Sequence, residues 1–490
     1  MQVIAGFDLG TTGCRCVLFD EKLNVLGEAY HEYPLLTGEG GIVEQCAEDW
    51  WKYLILSMKE SAQIAKCAES DICALSLSSQ GITVVPVNQD CEALANAITW
   101  LDQRSNTGAE QLLDTIGRKK YCSITARIDP SPYGISSILW FQKHRENIAA
   151  QTWKYLMPMD YIITRLTGHA VTDHIMACGL ACYDLKKRDW SDEILSAAGI
   201  RRDQLPDILD CGSVAGYVTE EVAKYTGMRV GIPVAVGTQD QKCGAIAAGL
   251  QDGIATVSMG TCAAIELPGE LMVYNASAYI PCFPGMFGRG YMLEGCINVG
   301  AGCLKWYRDL YYPDRAYTDV TELAAAHTPT LETPYFFPHL SGFSTPKRKP
   351  NGSAAFYGLR INTSREAMAY SVLESVALAL NQNIEAARKT AGITLKRLRV
   401  FGGGAKSEEW LQIIADVTNL PVESLFTHEV CCVGAAILAG ISIGIFASIE
   451  VAQNHAMCVG KVYTPRIDRK SILAYRRAEF ESIENRIYAE

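Results

Sequence analysis

The sequence predicts an α/β protein built from two large domains. Its 490 residues are too many for one hydrophobic core. Short apolar runs typical of strands alternate with longer segments whose apolar residues recur at helical spacing. One pattern, an apolar run followed by a Gly-Thr turn and a second apolar run, opens the chain and returns near its middle. This repetition indicates internal duplication.

Composition indicates a globular protein that does not bind nucleic acid. Hydrophobic residues make up 49% of the chain and charged residues 20%, and the formal net charge is −10. An acidic chain offers no electrostatic attraction to a phosphate backbone. The 18 cysteines are scattered, no secretory signal precedes the first strand and no Cys-x-x-Cys pair occurs. We therefore expect a cytoplasmic protein with reduced cysteines and no structural metal.

The first copy of the pattern is a candidate phosphate-binding hairpin. Apolar runs at Val3–Phe7 and Cys16–Phe19 flank the segment Asp8–Arg15. Its glycines allow backbone N–H groups to approach an anion. Asp8 closes the first strand, where a carboxylate is placed to hold Mg²⁺ beside phosphates. The local pattern alone also fits an ordinary hairpin with a polar turn.

Several predicted strands of the first half end in polar residues. The strands at Ile72–Ser78, Ala97–Trp100 and Pro233–Gly237 run into clusters that contain Gln80, Asp102 and Asp240, and α/β folds place ligand sites at such strand ends. Further strands are predicted at Val25–Tyr30 and Thr83–Val87, and helices at Glu48–Ala65, Ser136–Gln142, Asp160–Thr167 and Cys243–Ala248. The glycines of Gly249–Gly253 indicate a domain boundary.

The second copy of the pattern follows this boundary, with apolar runs at Ile254–Ser258 and Ala263–Leu267. It lacks a carboxylate, as expected if two hairpins clamp one polyphosphate from opposite sides; a chance match of so short a pattern is the alternative. Helices are predicted at Arg365–Ala391 and Glu408–Thr418. The glycine run before the second helix suits a flat ligand near a helix N-terminus, or merely a tight turn.

An uncharged segment from Cys431 to Ile449 is long enough to span a bilayer. Its three glycines and its lack of basic flanks and aromatic anchors favour a different structure. We predict a buried helix at about Val433–Ala439, a turn and a second short helix, with no membrane contact.

Seven segments together resemble the FGGY carbohydrate kinases in order and spacing over nearly the whole chain. They are Asp8–Arg15, Trp100–Arg104, Gly237–Lys242, Ser258–Cys262, Glu294–Trp306, Pro338–Leu359 and Phe401–Ser407. The resemblance implies a two-domain ribonuclease H/actin-like ATPase fold with a deep interdomain cleft. The expected parts are a sugar-binding N-terminal domain (1–249), a nucleotide-binding C-terminal domain (254–450) and a helical tail (451–490).

The resemblance also implies roles for individual residues. Asp240 matches the catalytic base, although a solvated or helix-capping carboxylate is the alternative. Asp8 matches the residue near Mg²⁺ and the transferring phosphate. Matches to ATP contacts are Gly10, Thr11, Thr12, Arg15, Gly260, Thr261, Gly300, Lys305, Gly403, Gly404 and Ser407. Matches to sugar contacts are Gln80, Trp100, Asp102, Arg104, Tyr133 and Asp240; Trp100 as a core residue and Arg104 as a structural partner of Asp102 are the alternatives.

The expected reaction is ATP-dependent conversion of D-xylulose to D-xylulose 5-phosphate, because the members most like this chain act on xylulose. Those members carry a His where this sequence has Ile82, the Arg-Glu pair of glycerol-specific members is absent, and Phe343-Ser344 replaces a usual Glu-Arg pair. Ribulose, fuculose, another ketose, gluconate, glycerol and erythritol therefore stay open as substrates. An actin-like nucleotide-driven switch or chaperone without a sugar acceptor is the alternative of another class. From family habit we expect a homodimer.

Overall fold

The computed structural model describes residues 2–104, 108–274, 279–425, 429–457 and 459–489. The chain packs into two compact units. The first contains Met1–Ala247, Phe283–Gly290 and His428–Ala456, and the second contains Ala248–Cys282, Tyr291–Thr427 and Met457–Glu490. The predicted boundaries assign Phe283–Gly290 and His428–Ala456 to the C-terminal domain and tail, whereas these segments pack with the first unit.

The strands are β1 Val3–Leu9, β2 Gly13–Phe19, β3 Val25–Glu32, β4 Leu36–Gly38, β5 Ile42–Gln45, β6 Ile72–Ser79, β7 Val85–Val87, β8 Ala97–Ile98, β9 Lys154–Leu156, β10 Val171–Asp173, β11 Tyr183–Asp184, β12 Asp189–Trp190, β13 Asp207–Leu209, β14 Val214–Tyr217, β15 Pro233–Gln239, β16 Ile254–Met259, β17 Ala263–Gly269, β18 Cys282–Pro284, β19 Tyr291–Ile297, β20 Tyr335–Phe337, β21 Ala355–Tyr357, β22 Arg397–Phe401, β23 Val422–Leu425 and β24 Val459–Tyr463.

The helices are α1 Ala47–Ala65, α2 Ala109–Ile116, α3 Arg118–Thr125, α4 Gly134–His144, α5 Glu146–Gln151, α6 Pro158–Thr167, α7 His174–Gly179, α8 Asp192–Ala198, α9 Glu220–Thr226, α10 Asp240–Ala247, α11 Gly302–Tyr311, α12 Tyr317–Ala325, α13 Arg365–Ala391, α14 Glu408–Thr418, α15 Val430–Ser442, α16 Ile449–Ala456 and α17 Lys470–Ile487.

The main sheet of the first unit has the order β14-β15-β6-β1-β2-β3. β15, β6 and β1 are parallel neighbours, and β2 and β3 continue the sheet as antiparallel hairpins. The carboxyl ends of β1, β6 and β15 therefore lie side by side at one edge of the sheet. This edge collects the polar strand ends that the sequence predicts.

Helix α15 lies close against β1 and α10, and glycines permit this approach. A Cβ atom on Gly6 would lie 2.1 Å from the Cys432 carbonyl oxygen, and one on Gly434 would lie 2.1 Å from the Cys243 carbonyl oxygen. The predicted buried helix at Val433–Ala439 is thus part of α15, and α16 follows it. Across the described residues, no helix is both long and apolar enough to cross a membrane.

The second unit repeats the hairpin arrangement of the first. β16 and β17 form an antiparallel hairpin, and β16 pairs in parallel with β22, just as β1 pairs with β2 and β6. β23 and β24 complete this side of the sheet. The expected helical tail (451–490) is wrong in one respect, because β24 interrupts its helices and pairs antiparallel with β23.

Candidate functional site

Three predicted site residues meet at the sheet edge of the first unit. Asp8 lies near the end of β1, Gln80 directly follows β6, and Asp240 begins α10 directly after β15. The register pairs Asp8 with Ser78 and Ser79 with Gln239. The candidate Mg²⁺ ligand, a candidate sugar contact and the candidate catalytic base therefore sit at the ends of neighbouring parallel strands.

Asp8 is partly buried and accepts a hydrogen bond from the Ser78 hydroxyl at 2.7 Å. Burial raises the pKa of Asp8, while the Ser78 hydrogen bond and the charge of Arg15 oppose that shift. A nearby cation stabilises a carboxylate in such surroundings. Oxygen donors of this kind suit a hard divalent cation.

The turn Gly10–Thr12 is held from three sides. The Gly10 carbonyl accepts a hydrogen bond from the Tyr33 hydroxyl, and the Thr11 carbonyl accepts one from the Gln45 amide at 2.6 Å. The Trp100 indole donates to the Thr11 hydroxyl at 3.0 Å. Sequence reasoning missed Tyr33 and Gln45, because no local pattern signals contacts over such separations. These bonds fix the backbone whose N–H groups are predicted to meet phosphates.

Gln80 is only 2% exposed, and its side chain is fully engaged within the protein. Its amide nitrogen donates to the Gln45 side chain at 2.8 Å and to the Gly10 carbonyl at 3.2 Å. Its amide oxygen accepts from the Thr83 hydroxyl at 3.3 Å. In this arrangement Gln80 connects the turn to β5 and shapes the wall of the site.

Asp102 and Arg104 form a buried ion pair. The Asp102 carboxylate accepts hydrogen bonds from the Val43 backbone N–H at 2.8 Å and from the Arg104 Nε at 3.0 Å. Arg104 also donates to Glu44 at 2.6 Å and lies over the ring of Trp140. Although burial opposes it, hydrogen bonds to the two carboxylates raise the pKa of Arg104. Arg104 is therefore a structural partner of Asp102, which is the alternative that the sequence left open for this residue.

Trp100 and Tyr133 present aromatic surface in the first unit. Trp100 is 42% exposed, which is contrary to the alternative that it is a core residue. Tyr133 is half-buried, precedes α4, and has the Arg127 guanidinium 5.4 Å from its ring centre. An exposed indole beside the turn provides a flat surface on which a sugar ring or chain can pack.

Arg15 projects from β2 between two carboxylates. Its Nε lies 2.9 Å from Glu429, and its NH1 pairs with Glu28. Its guanidinium also lies over the Tyr30 ring. These pairs hold the side chain in place and compensate its charge.

The segment before Asp240 is anchored to a buried acid. The Thr238 hydroxyl donates to Asp173 at 2.9 Å, and Asp173 also accepts the backbone N–H groups of Ile175 and Met176. Burial raises the pKa of Asp173 to about 6. Asp240 itself lies in the first turn of α10, where its carboxylate accepts the Gln241 N–H at 2.7 Å. A carboxylate at a helix N-terminus is favourably placed for the helix dipole.

In the second unit, the turn at Gly260 and Thr261 contacts the start of α11. The Thr261 carbonyl accepts from the Gly300 N–H at 2.8 Å, and the Gly260 carbonyl accepts from the Ala301 N–H at 2.8 Å. A Cβ atom on Gly300 would lie 2.6 Å from Ala263, so this approach requires glycine. Lys305 on α11 is exposed and pairs with Asp309 one turn later, which raises the Lys305 pKa.

The glycine loop lies against the same hairpin. Gly402 has φ +93°, a region that favours glycine, and a Cβ atom there would lie 3.0 Å from the Met259 carbonyl oxygen. Gly404 also packs on Met259, and Gly403 stands between Gly402 and Gly404 in the chain. The Ser407 hydroxyl caps α14 by accepting the Trp410 N–H and donates to Glu409. Bare backbone and a capped helix start thus lie beside the Gly260-Thr261 turn.

Solved structures of sugar kinases share this fold. A xylulose kinase from Lactobacillus acidophilus matches with a TM-score of 0.93 at 24% identity, over 100% of this chain and 99% of that chain. A gluconate kinase from Lactobacillus acidophilus matches with a TM-score of 0.91 at 24% identity, over 100% of this chain and 98% of that chain. The predicted two-domain ribonuclease H/actin-like fold is confirmed.

Family models describing the N-terminal and C-terminal domains of the FGGY family of carbohydrate kinases match residues 3–247 and 255–443. The chain belongs to this family and is an ATP-dependent carbohydrate kinase. These matches favour the kinase prediction over the nucleotide-driven switch.

Curated relatives match over almost the entire chain. A xylulose kinase from Escherichia coli (strain K12) is 30% identical over 464 residues, 92% of this chain and 93% of the relative. One from Bacillus subtilis (strain 168) is 27% identical over 467 residues, 95% of this chain and 93% of the relative. A glycerol kinase from Thermococcus gammatolerans is 27% identical over 481 residues, 96% of this chain and 95% of the relative. The acceptor sugar therefore has to be argued from the site.

Proposed function

We propose that this kinase transfers the γ-phosphoryl group of ATP to D-xylulose and forms D-xylulose 5-phosphate. The observation that carries the proposal is the placement of Asp8, Gln80 and Asp240 at neighbouring strand ends of the first unit. The xylulose kinases among its relatives support the choice of sugar.

Asp240 is proposed as the base that accepts the proton of the attacking hydroxyl while the phosphoryl group transfers. The exposed Trp100 ring is proposed to pack against the sugar, and Tyr133 to border the acceptor. Asp102, Arg104 and Gln80 would shape and orient this region through the bonds described above. The backbone around Gly10–Thr12 would hold phosphate oxygens.

The residues proposed for the rest of the nucleotide lie in the second unit. The Gly260-Thr261 turn would bind phosphates, and the bare backbone at Gly403 and Gly404 would lie against adenosine. Gly300 would support the turn that it contacts. Ser407 would act by fixing the start of α14, and Lys305 would have to leave Asp309 to reach a phosphate.

Asp8 fits a Mg²⁺ site in which the nucleotide supplies further ligands. Among the described residues, no group of three or more His, Cys, Asp or Glu side chains could hold a metal. Mg²⁺ commonly takes one or two carboxylates together with phosphate oxygens and water. Asp8, beside a turn suited to phosphate, provides such a carboxylate. When bound, Mg²⁺ neutralises charge on the transferring phosphate.

An ADP-release screen with Mg-ATP tests the choice of sugar. D-xylulose is compared with L-xylulose, D- and L-ribulose, L-fuculose, gluconate, glycerol and erythritol. We expect the highest kcat/KM with D-xylulose. A higher value with gluconate or glycerol would contradict the choice of D-xylulose. It would also indicate that Ile82, in place of His, changes the substrate specificity.

The role of Asp240 is tested by Asp240→Asn. Loss of the base should lower kcat by about 10²–10⁴-fold while D-xylulose binding, measured by calorimetry, persists. Asp252→Asn, a change at an exposed turn, is the matched control and should keep full turnover. Retained turnover in Asp240→Asn would contradict the assignment.

A further inference from the structure

The second unit contains a cavity separate from every residue proposed for sugar or nucleotide. The C-terminal half of α13 and the middle of α17 line it, and Pro346 and Lys347 close a third side. Its volume is about 450 Å³, within the roughly 300–1,000 Å³ typical of small-molecule sites.

Asn381 is the polar group that points to a ligand. It lines the cavity and is only 7% exposed. Within the described part of the chain its side-chain amide makes no hydrogen bond. This amide offers both donors and an acceptor to a molecule in the cavity. A hydroxyl-bearing molecule in the cavity would satisfy it.

Cations on one side of the cavity could bind an anion. Lys347 forms an ion pair with Glu484, with 3.2 Å between its Nζ and a carboxylate oxygen. By contrast, among described residues neither Arg477 nor Lys389 forms a salt bridge, and the Arg477 guanidinium donates to the Val417 carbonyl at 2.7 Å. Burial and the charge of Arg388 lower the pKa of Arg477, against the effect of Glu385. An anion beside Arg477 would stabilise the charged form of this partly buried guanidinium.

Two carboxylates also line the cavity, and one of them, Glu385, is paired with Arg388. Glu481 of α17 lines the cavity and has no ion-pair partner among the described residues. A carboxylate repels phosphate but accepts hydrogen bonds from hydroxyls. The lining therefore matches a molecule with an anionic end and a hydroxyl-bearing end.

We propose that this cavity binds a small phosphate monoester that carries hydroxyl groups. Arg477 and Lys389 hold the phosphate, and Asn381 and Glu481 hydrogen-bond the hydroxyls. The site does not depend on which sugar the kinase phosphorylates, so the substrate screen and the test below succeed or fail separately.

The test is isothermal titration of the full chain with glycerol 3-phosphate, in the wild type and in two variants. Asn381→Leu should weaken binding at least tenfold, because it removes the amide that lines the cavity. Arg477→Gln should also weaken binding at least tenfold. Lys470→Gln, exposed at the start of α17 and outside the cavity, should leave affinity unchanged.

Two results would overturn the proposal. One is the absence of glycerol 3-phosphate binding, or binding that neither Asn381→Leu nor Arg477→Gln weakens, which would place the ligand elsewhere. The other is an affinity for inorganic phosphate equal to that for glycerol 3-phosphate. This result would show that Asn381 and Glu481 do not bind the hydroxyl groups. The circular dichroism spectra of the same variants should match that of the wild type, which shows that they remain folded.

Discussion

Asp160 should make the stability of the first unit depend on pH, and Asp160→Asn should remove the share of that dependence that Asp160 contributes. The carboxyl group is fully buried at the start of α6. One oxygen accepts the Met157 N–H at 3.0 Å. Burial, with a smaller effect of Asp173, raises the Asp160 pKa from 3.8 to about 7.

The sign of the effect follows from this shift. Because the folded state holds the proton more tightly than the unfolded state, the stabilising contribution is complete below pH 3.8 and is lost as the pH rises through about 7. Each pKa unit corresponds to about 1.4 kcal/mol. The two units between pH 5 and pH 7 therefore predict that the wild type loses about 3 kcal/mol relative to Asp160→Asn. The amide retains an acceptor for the Met157 N–H.

Urea unfolding followed by circular dichroism at pH 5 and pH 8 measures this difference. Asp160→Asn should gain about 3 kcal/mol relative to the wild type at the higher pH. Asp192→Asn, an exposed acid of the same unit, should follow the wild type at both values. Parallel pH dependence in Asp160→Asn and the wild type would refute the reasoning.

Three further variants test packing, a buried ion pair and the support of the site. Gly434→Ala places a methyl group 2.1 Å from the Cys243 carbonyl oxygen and should destabilise the first unit by about 3 kcal/mol in urea unfolding. Glu374→Gln leaves the fully buried Arg476 charge without its partner and should cost about 3–5 kcal/mol in the second unit. Gln45→Leu removes hydrogen bonds to the turn and to Gln80, and should lower kcat/KM by about tenfold in steady-state assays.

The first two of these variants have a reference. Gly269→Ala, where the nearest atom would be 3.8 Å away, should cost less than about 1 kcal/mol. Lys224→Gln breaks an exposed pair with Glu220 and should cost less than about 0.5 kcal/mol. Equal costs for the buried and exposed pairs would contradict the argument that burial makes an unpaired charge costly. Unchanged kinetics in Gln45→Leu would show that this residue does not support the site.

The sequence could predict elements whose signals are local. Helices α13 and α14 have the predicted bounds, because helical periodicity begins directly after the capping residues Ser364 and Ser407. Both hairpins were also predictable, since each combines two apolar runs with a Gly-Thr turn. Parallel pairing then places the polar ends of β1, β6 and β15 together.

Elements that depend on distant partners were less predictable. The strand expected at Ala97–Trp100 ends at Ile98, where its pairing with β5 stops. β24 is a strand because β23 offers it an edge, which the local sequence does not reveal. Likewise, only the folded chain shows that segment 428–456 packs with the first unit, because that grouping depends on long-range packing around β1 and α10.

The hydrogen bonds of Gln80 clarify what the missing His means for specificity. Gln80 donates its backbone N–H to the Leu9 carbonyl and its side chain to Gly10, so it fixes the start of the following loop without help from residue 82. Ile82 occupies this loop with φ +69°, a costly conformation for a β-branched residue that its surroundings must impose. We therefore expect the loop path to persist and one polar contact to be lost. In the proposed sugar site, such a loss would weaken recognition of a single substrate hydroxyl and would leave the proposed phosphoryl-transfer groups intact.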